Sequence, residues 1–155
     1  MSGIRSDSVE RVLEVARALR LRVDALCGAL GVTPAGMRVL RRLETAPGES
    51  TSSVARTLNL ADEAVSRELR SLVDGGLVAK KAEGKRNRLS LTDEGWLKVD
   101  QYRDALSKLS GEVLAAVHRS ELHATLDKIE SKLGLTVHHA EGKPLVRKRK
   151  NSPRS

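Results

Sequence analysis

Aromatic residues are almost missing from this chain: its 155 residues include Trp96, Tyr102 and no Phe. Proteins that read single-stranded nucleic acid stack bases on aromatic side chains, so a fold built on such platforms is disfavoured. Cysteine is equally scarce. Cys27 stands alone, which excludes an intramolecular disulfide framework and fits a reducing cytoplasm. No run approaches the ~20 consecutive apolar residues of a membrane helix, and the opening MSGIRSDSVE lacks a signal peptide's apolar stretch. The expectation is a cytoplasmic protein with no membrane partner. No internal repeat is present.

The composition that remains, 39% hydrophobic and 31% charged, is that of a folded domain with an appended element. The net charge of +8 is unevenly placed. Residues 77–92 carry +4 and residues 140–155 carry +5, which leaves the other 123 residues at −1. A concentrated positive charge points to a polyanion, and its placement says where that partner is met.

Apolar residues at steps of three and four (Val9, Val12, Leu13, Ala16, Leu19, Val23, Leu26, Leu30) predict a long helix over about residues 6–30, with Gly31 just past its end. Thr33-Pro34 reads as a cap and first turn for a second helix carrying Met37, Val39, Leu40 and Leu43, stopped by Pro47-Gly48. Ser50 or Thr51 caps a short third helix with Val54, Ala55 and Leu58. After the break Asn59-Leu60-Ala61, Asp62 is expected to cap a fourth helix with Val65, Leu69, Leu72 and Val73 inward, ended by Gly75-Gly76. The period then changes to two. Leu77–Lys81 and Arg86–Leu91 read as short strands around Ala82-Glu83-Gly84-Lys85, with Leu89 and Leu91 inward. A long fifth helix runs from Thr92 or Asp93 through Val117, with a kink expected at Gly111, and a sixth carries Leu122, Leu126, Ile129 and Leu133. From residue 137 the pattern dissolves into a basic tail.

Two short helices joined by a tight turn and followed by a hairpin make a winged helix-turn-helix. Its second helix fits the DNA major groove, and its hairpin reaches flanking phosphates or the minor groove. In that arrangement Ser66, Arg67 and Arg70 lie on the outer face of the fourth helix, with Asp62 and Glu63 in its first turn. Arg67 and Arg70 suit base or phosphate contact, Asp62 suits helix capping, and Glu63 can accept a hydrogen bond from cytosine N4. Lys85, Arg86 and Arg88 suit phosphates or a narrow minor groove. Ser50, Thr51 and Ser52 combine hydroxyls with free N–H groups at a helix start, which serves either a phosphate or simple capping. For the arginines, the alternative to DNA contact is a solvated charged face.

The chain resembles the MarR family of bacterial transcriptional regulators. The resemblance rests on Val32-Thr33-Pro34-Ala35, Arg38-Val39-Leu40, Ala46-Pro47-Gly48, Val54-Ala55-Arg56, Val65-Ser66-Arg67, Leu72, Gly76-Leu77-Val78 and Leu91-Thr92-Asp93-Glu94-Gly95, over roughly residues 6–134. It implies a mainly α fold with a small β-hairpin wing, in which residues 1–31 form an N-terminal dimerisation helix and 32–92 the DNA-binding domain. Residues 93–136 then form C-terminal dimerisation helices, and 137–155 a disordered basic tail. It also implies a homodimer on pseudo-palindromic double-stranded DNA, often released by a small aromatic or anionic effector. The sequence departs from the family at Asp62, where a basic residue is expected. It departs again at the wing tip, where Glu83-Gly84-Lys85-Arg86 replaces an Asp-Arg-Arg signature.

The apolar faces of the first, fifth and sixth helices exceed the needs of one small domain, which suits a shared dimer core; a self-contained core is the alternative. Arg17, Arg20 or Arg22 are candidates to pair with an effector carboxylate, and Trp96 and Tyr102 to pack around it. No cofactor or metal site is expected: His118 and His123 are five apart, off one helical face, and His138-His139 start the tail. Cys27 reads as a packing residue in preference to a redox sensor. No catalytic arrangement is present, so the reading is a DNA-binding regulator, a repressor as is most often the case in this family, and not an enzyme. The rival is a winged-helix protein-interaction module, an antirepressor or assembly subunit, with Asp62-Glu63 as its main support.

Overall fold

The computed structural model describes residues 3–135, with side chains from residue 7 onward. In chain order these form α1 (Gly3–Ala29), α2 (Pro34–Thr45), α3 (Thr51–Leu58), α4 (Asp62–Asp74), β1 (Val78–Glu83), β2 (Arg86–Leu91), α5 (Asp93–Leu114) and α6 (Arg119–Leu133). The fold is the expected one: six helices with an antiparallel hairpin after the fourth. The basic tail lies outside the described residues. Among the described residues, those up to Leu109 form one compact unit and those from Ser110 a second.

Local chemistry accounts for most boundaries. Thr33 has extended backbone and its hydroxyl accepts from the Gly36 N–H at 2.8 Å, with Pro34 in the first turn where a missing N–H costs nothing. Ser50, and not Thr51, caps α3 by accepting from the Ser53 N–H at 3.3 Å. The tight turn to α4 closes on Asn59 in the left-handed region (φ 51°), a conformation Asn tolerates better than most residues. Thr92 serves twice, accepting from the Gly95 N–H at 3.1 Å and donating to the Gly76 carbonyl at 2.6 Å.

Three expectations need correction. Asp62 does not cap α4: the cap position falls to Ala61, which makes no side-chain cap bond, and Asp62 is the first helical residue. Its carboxylate there still complements the helix dipole. The hairpin loop is shorter than expected, because Ala82 and Glu83 pair with Asn87 and Arg86 and leave only Gly84-Lys85 as the turn. Gly84 supplies the positive φ (60°) that a two-residue turn matching the strand twist requires. α5 ends at Leu114, short of Val117.

The core belongs to the first unit. Met37, Val39, Leu40 and Leu43 of α2 pack with Val54 and Ala55 of α3, Val65, Leu69 and Leu72 of α4, Val78 and Leu89 of the wing, and Val99 and Tyr102 of α5. Each such large side chain contributes roughly 1.5–3 kcal/mol on burial. α2 sits at the centre, so it holds α3, α4 and the wing in fixed relation. Arg103 of α5 grips its C-terminal turn through an ion pair with the buried Glu44.

In contrast, Val9, Val12, Leu13, Val15 and Leu21 of α1 remain exposed, and α6 buries no residue within its own chain. Among the described residues no single helix is long and apolar enough to cross a membrane.

Candidate nucleic-acid interface

The start of α3, the first turns of α4 and the tip of the wing enclose a cleft of about 670 Å³. One wall carries Ser50, Thr51, Ser52 and Ser53, with Arg56 one turn further along α3. Asp62 and Ser66 approach from α4, and Lys85, Arg86 and Asn87 from the wing. Hydroxyl groups and cations thus face one another across a groove open to solvent, a lining suited to a phosphodiester backbone. A smaller hollow of about 330 Å³ adjoins it between α4 and the wing, where Arg70 and Lys80 share a wall with Thr51 and Ser66.

The residues singled out from the sequence divide accordingly. Ser50, Thr51, Ser52, Ser66, Lys85 and Arg86 converge on the main cleft, and Arg70 lines the hollow beside it. Glu63 and Arg67 are exposed on α4 but line neither, since they lie about 100° around the helix from the Asp62–Ser66–Arg70 row. Arg88 is ion-paired with Glu83 within the wing and lies over Gly48.

Among the lining residues that go beyond the sequence expectation are Arg56, Lys80 and Asn87. Each carries a signal. Arg56 is four residues beyond Ser52 and shares its helical face. The two-residue turn sets a register in which Lys80 pairs with Leu89 and Ala82 with Asn87, so both polar side chains share the face of the buried Leu89.

Behind the cleft, the loop leading into α3 is fixed to the rest of the fold. Glu49 accepts from Arg42 Nε at 2.8 Å and Nη2 at 2.5 Å, and from Ser53 Oγ at 3.1 Å. The Arg42 hydrogen bonds hold the Glu49 carboxyl below its usual range against the opposing effect of partial burial, and Arg42 is raised in turn. The backbone of the same loop pairs with the wing: Gly48 N–H donates to the Leu89 carbonyl at 2.8 Å, and Leu89 N–H donates to the Glu49 carbonyl at 3.1 Å.

A separate cavity of about 620 Å³ opens among α1, α2 and α5, with Val23, Cys27, Met37 and Tyr102 in its wall and Arg17, Arg20, Arg38 and Arg41 around it. The Arg41 guanidinium lies 6.0 Å from the centre of the Tyr102 ring. Burial pushes the Tyr102 hydroxyl and the Cys27 thiol up from their ordinary pKa values. Arg22 and Trp96 do not line this cavity.

No protein-family model and no curated protein matches the sequence. Solved structures match over most of the chain. The Mycobacterium tuberculosis MarR family protein Rv2887 in complex with DNA is 26% identical, with a TM-score of 0.66, over 81% of this chain and 95% of that one. The same protein in complex with p-aminosalicylic acid matches at 28% identity and a TM-score of 0.62, over 81% and 96%. MepR, a transcription regulator of the Staphylococcus aureus multidrug efflux pump MepA, matches at 19% identity and a TM-score of 0.69, over 79% and 95%. The fold of this chain is therefore that of the MarR family, and its structural neighbours include transcriptional regulators.

Proposed function

We propose that the protein is a homodimeric transcriptional regulator, acting in the cytoplasm as a repressor on a pseudo-palindromic operator and released from it by a small anionic or aromatic ligand. The observation that carries this reading is the cleft in which the α3 hydroxyls face Lys85 and Arg86 of the wing. Salt-sensitive phosphate contacts made there fix the register of the protein on the duplex. α4 then enters the major groove, where Arg67 and Arg70 read bases and Glu63 accepts from cytosine N4. Arg88 reaches phosphates beyond the cleft once it parts from Glu83.

Dimerisation is supported by the exposed apolar face of α1 and by α6, no residue of which is fully buried within its own chain. A two-fold dimer places its recognition helices roughly 34 Å apart, one DNA turn. The cavity beside Tyr102 suits an effector, with Arg17 and Arg20 as partners for its carboxylate. An effector acts by binding the DNA-competent and incompetent spacings with different affinity.

Selection from a random duplex library, followed by gel shifts at two salt concentrations, tests the proposal. Enrichment of a two-fold symmetric sequence is the expected result. Recovery of no preferred sequence, with no salt-sensitive binding, would favour the protein-interaction reading, for which the Asp62 carboxylate in the cleft is the supporting feature.

A further inference from the structure

We propose that Glu49 is the positioning residue of this cleft, setting the distance between its hydroxyl wall and its cationic wall through a bidentate bond to Arg42. The inference rests on the reading of the cleft as a DNA-backbone site. Glu49 joins three elements at once: its carboxylate holds Arg42 of α2 and Ser53 of α3, and its carbonyl accepts from Leu89 of β2. The two walls of the cleft both grow out of this junction. Ser50 follows Glu49 directly and starts α3, while Leu89 is two residues from Asn87 and three from Arg86.

Leu89 is 1% exposed and anchors the wing root in the core, so the wing moves with the loop that pairs with it. Arg42 lies on α2, the central helix of that core, which makes the guanidinium a fixed reference point.

Stabilisation alone does not explain the choice of residues. The Arg42 and Glu49 side chains are 29% and 16% exposed, and a partly buried ion pair offers little net stability over an apolar pair of similar size. The planar fork of two parallel hydrogen bonds does offer a fixed geometry. A carboxylate behind a phosphate site also requires neutralisation, and Arg42 supplies it.

The test uses the full chain and two labelled duplexes of about 30 base pairs, enough for half-sites one turn apart: one selected by the wild-type protein and one of unrelated sequence. At about 0.15 M salt, Glu49→Gln is expected to weaken binding to both duplexes about tenfold. It should also lower the slope of log affinity against log salt by about one to two, the signature of fewer phosphates neutralised. Arg42→Gln should do the same, and the double variant no more than either single one, because the two side chains act as a unit. Should Glu49→Gln fail to fold, Arg42→Gln carries the same measurement. Arg103→Gln is the control. It strands Glu44 at the other side of α2, so it should lower the melting temperature and leave the slope unchanged.

An unaltered slope in folded Glu49→Gln, or an equal drop in slope in Arg103→Gln, overturns the positioning role. A wild-type chain that binds neither duplex in a salt-sensitive manner overturns the DNA reading itself, and with it this inference.

Discussion

Gly95 lies against the carbonyl of Leu77 so closely that a Cβ on Gly95 would stand 2.1 Å from that oxygen. The same carbonyl accepts from the Thr92 N–H at 3.1 Å, so the first turn of α5 is seated on the residue that precedes the wing. Backbone cannot retreat from such a clash as a flexible side chain can. Gly95→Ala is therefore expected to destabilise the protein by roughly 2–4 kcal/mol in thermal or denaturant unfolding. Gly28→Ala meets nothing within 4 Å and should be neutral or stabilising by up to about 1 kcal/mol.

Acid should weaken the fold through Glu49. Its carboxyl is held below the ordinary value of 4.5 by Arg42, so the native state favours the ionised form. That stability is fully present above the unfolded pKa and is lost as pH falls through the lower, folded one. The complementary rise of Arg42 contributes stability that is fully present throughout this range and is lost only at strongly alkaline pH, so it does not alter the acid dependence. Melting temperature followed from pH 7 downward should fall more steeply for wild type than for Glu49→Gln; parallel curves would contradict the assignment.

Affinity and discrimination should separate by position. Lys85→Ala and Arg86→Ala are expected to weaken all duplexes alike and to lower the salt slope by about 0.9 for each phosphate no longer neutralised. Removing residues 141–155 should likewise lower the slope while preserving operator preference. Arg67→Ala, by contrast, should cost about 1–3 kcal/mol of discrimination at one base pair, measured as the affinity ratio between the selected operator and its point variants.

The exposed apolar residues give a prediction about assembly. Leu126 of α6 is 42% exposed and contributes little to the fold of one chain. Leu126→Asp should therefore leave helical content intact while shifting the protein from dimer to monomer in light scattering at micromolar concentration. A wild-type monomer under those conditions would remove the dimer from the proposal.

Oxidants should leave DNA binding unchanged. Cys27 is 1% exposed and its thiol is raised by burial and by nearby Asp24, both of which suppress the reactive thiolate. Peroxide treatment followed by a gel shift checks this; weaker binding in wild type but not in Cys27→Ser would assign a redox role.

Element order, helix faces and most of the stops are legible in the amino-acid sequence. Those depend on local rules: apolar residues at steps of three and four, Thr33 and Ser50 accepting from N–H groups three residues on, Gly31 and Gly76 taking positive φ. The sequence also locates positive charge in the wing. Tertiary structure decides which polar groups meet. Lys80 and Asn87 join the α3 and α4 faces only because Gly84-Lys85 closes a two-residue turn and fixes the strand register. Arg88 is occupied by Glu83, Arg22 and Trp96 stay outside the cavity beside Tyr102, and Asp62 begins α4 without capping it. The near-absence of aromatics disfavours base stacking from the outset. A cleft of hydroxyls and cations, with Glu49 behind it, needs α2, α3, α4 and the wing packed against one another, and no local pattern encodes that.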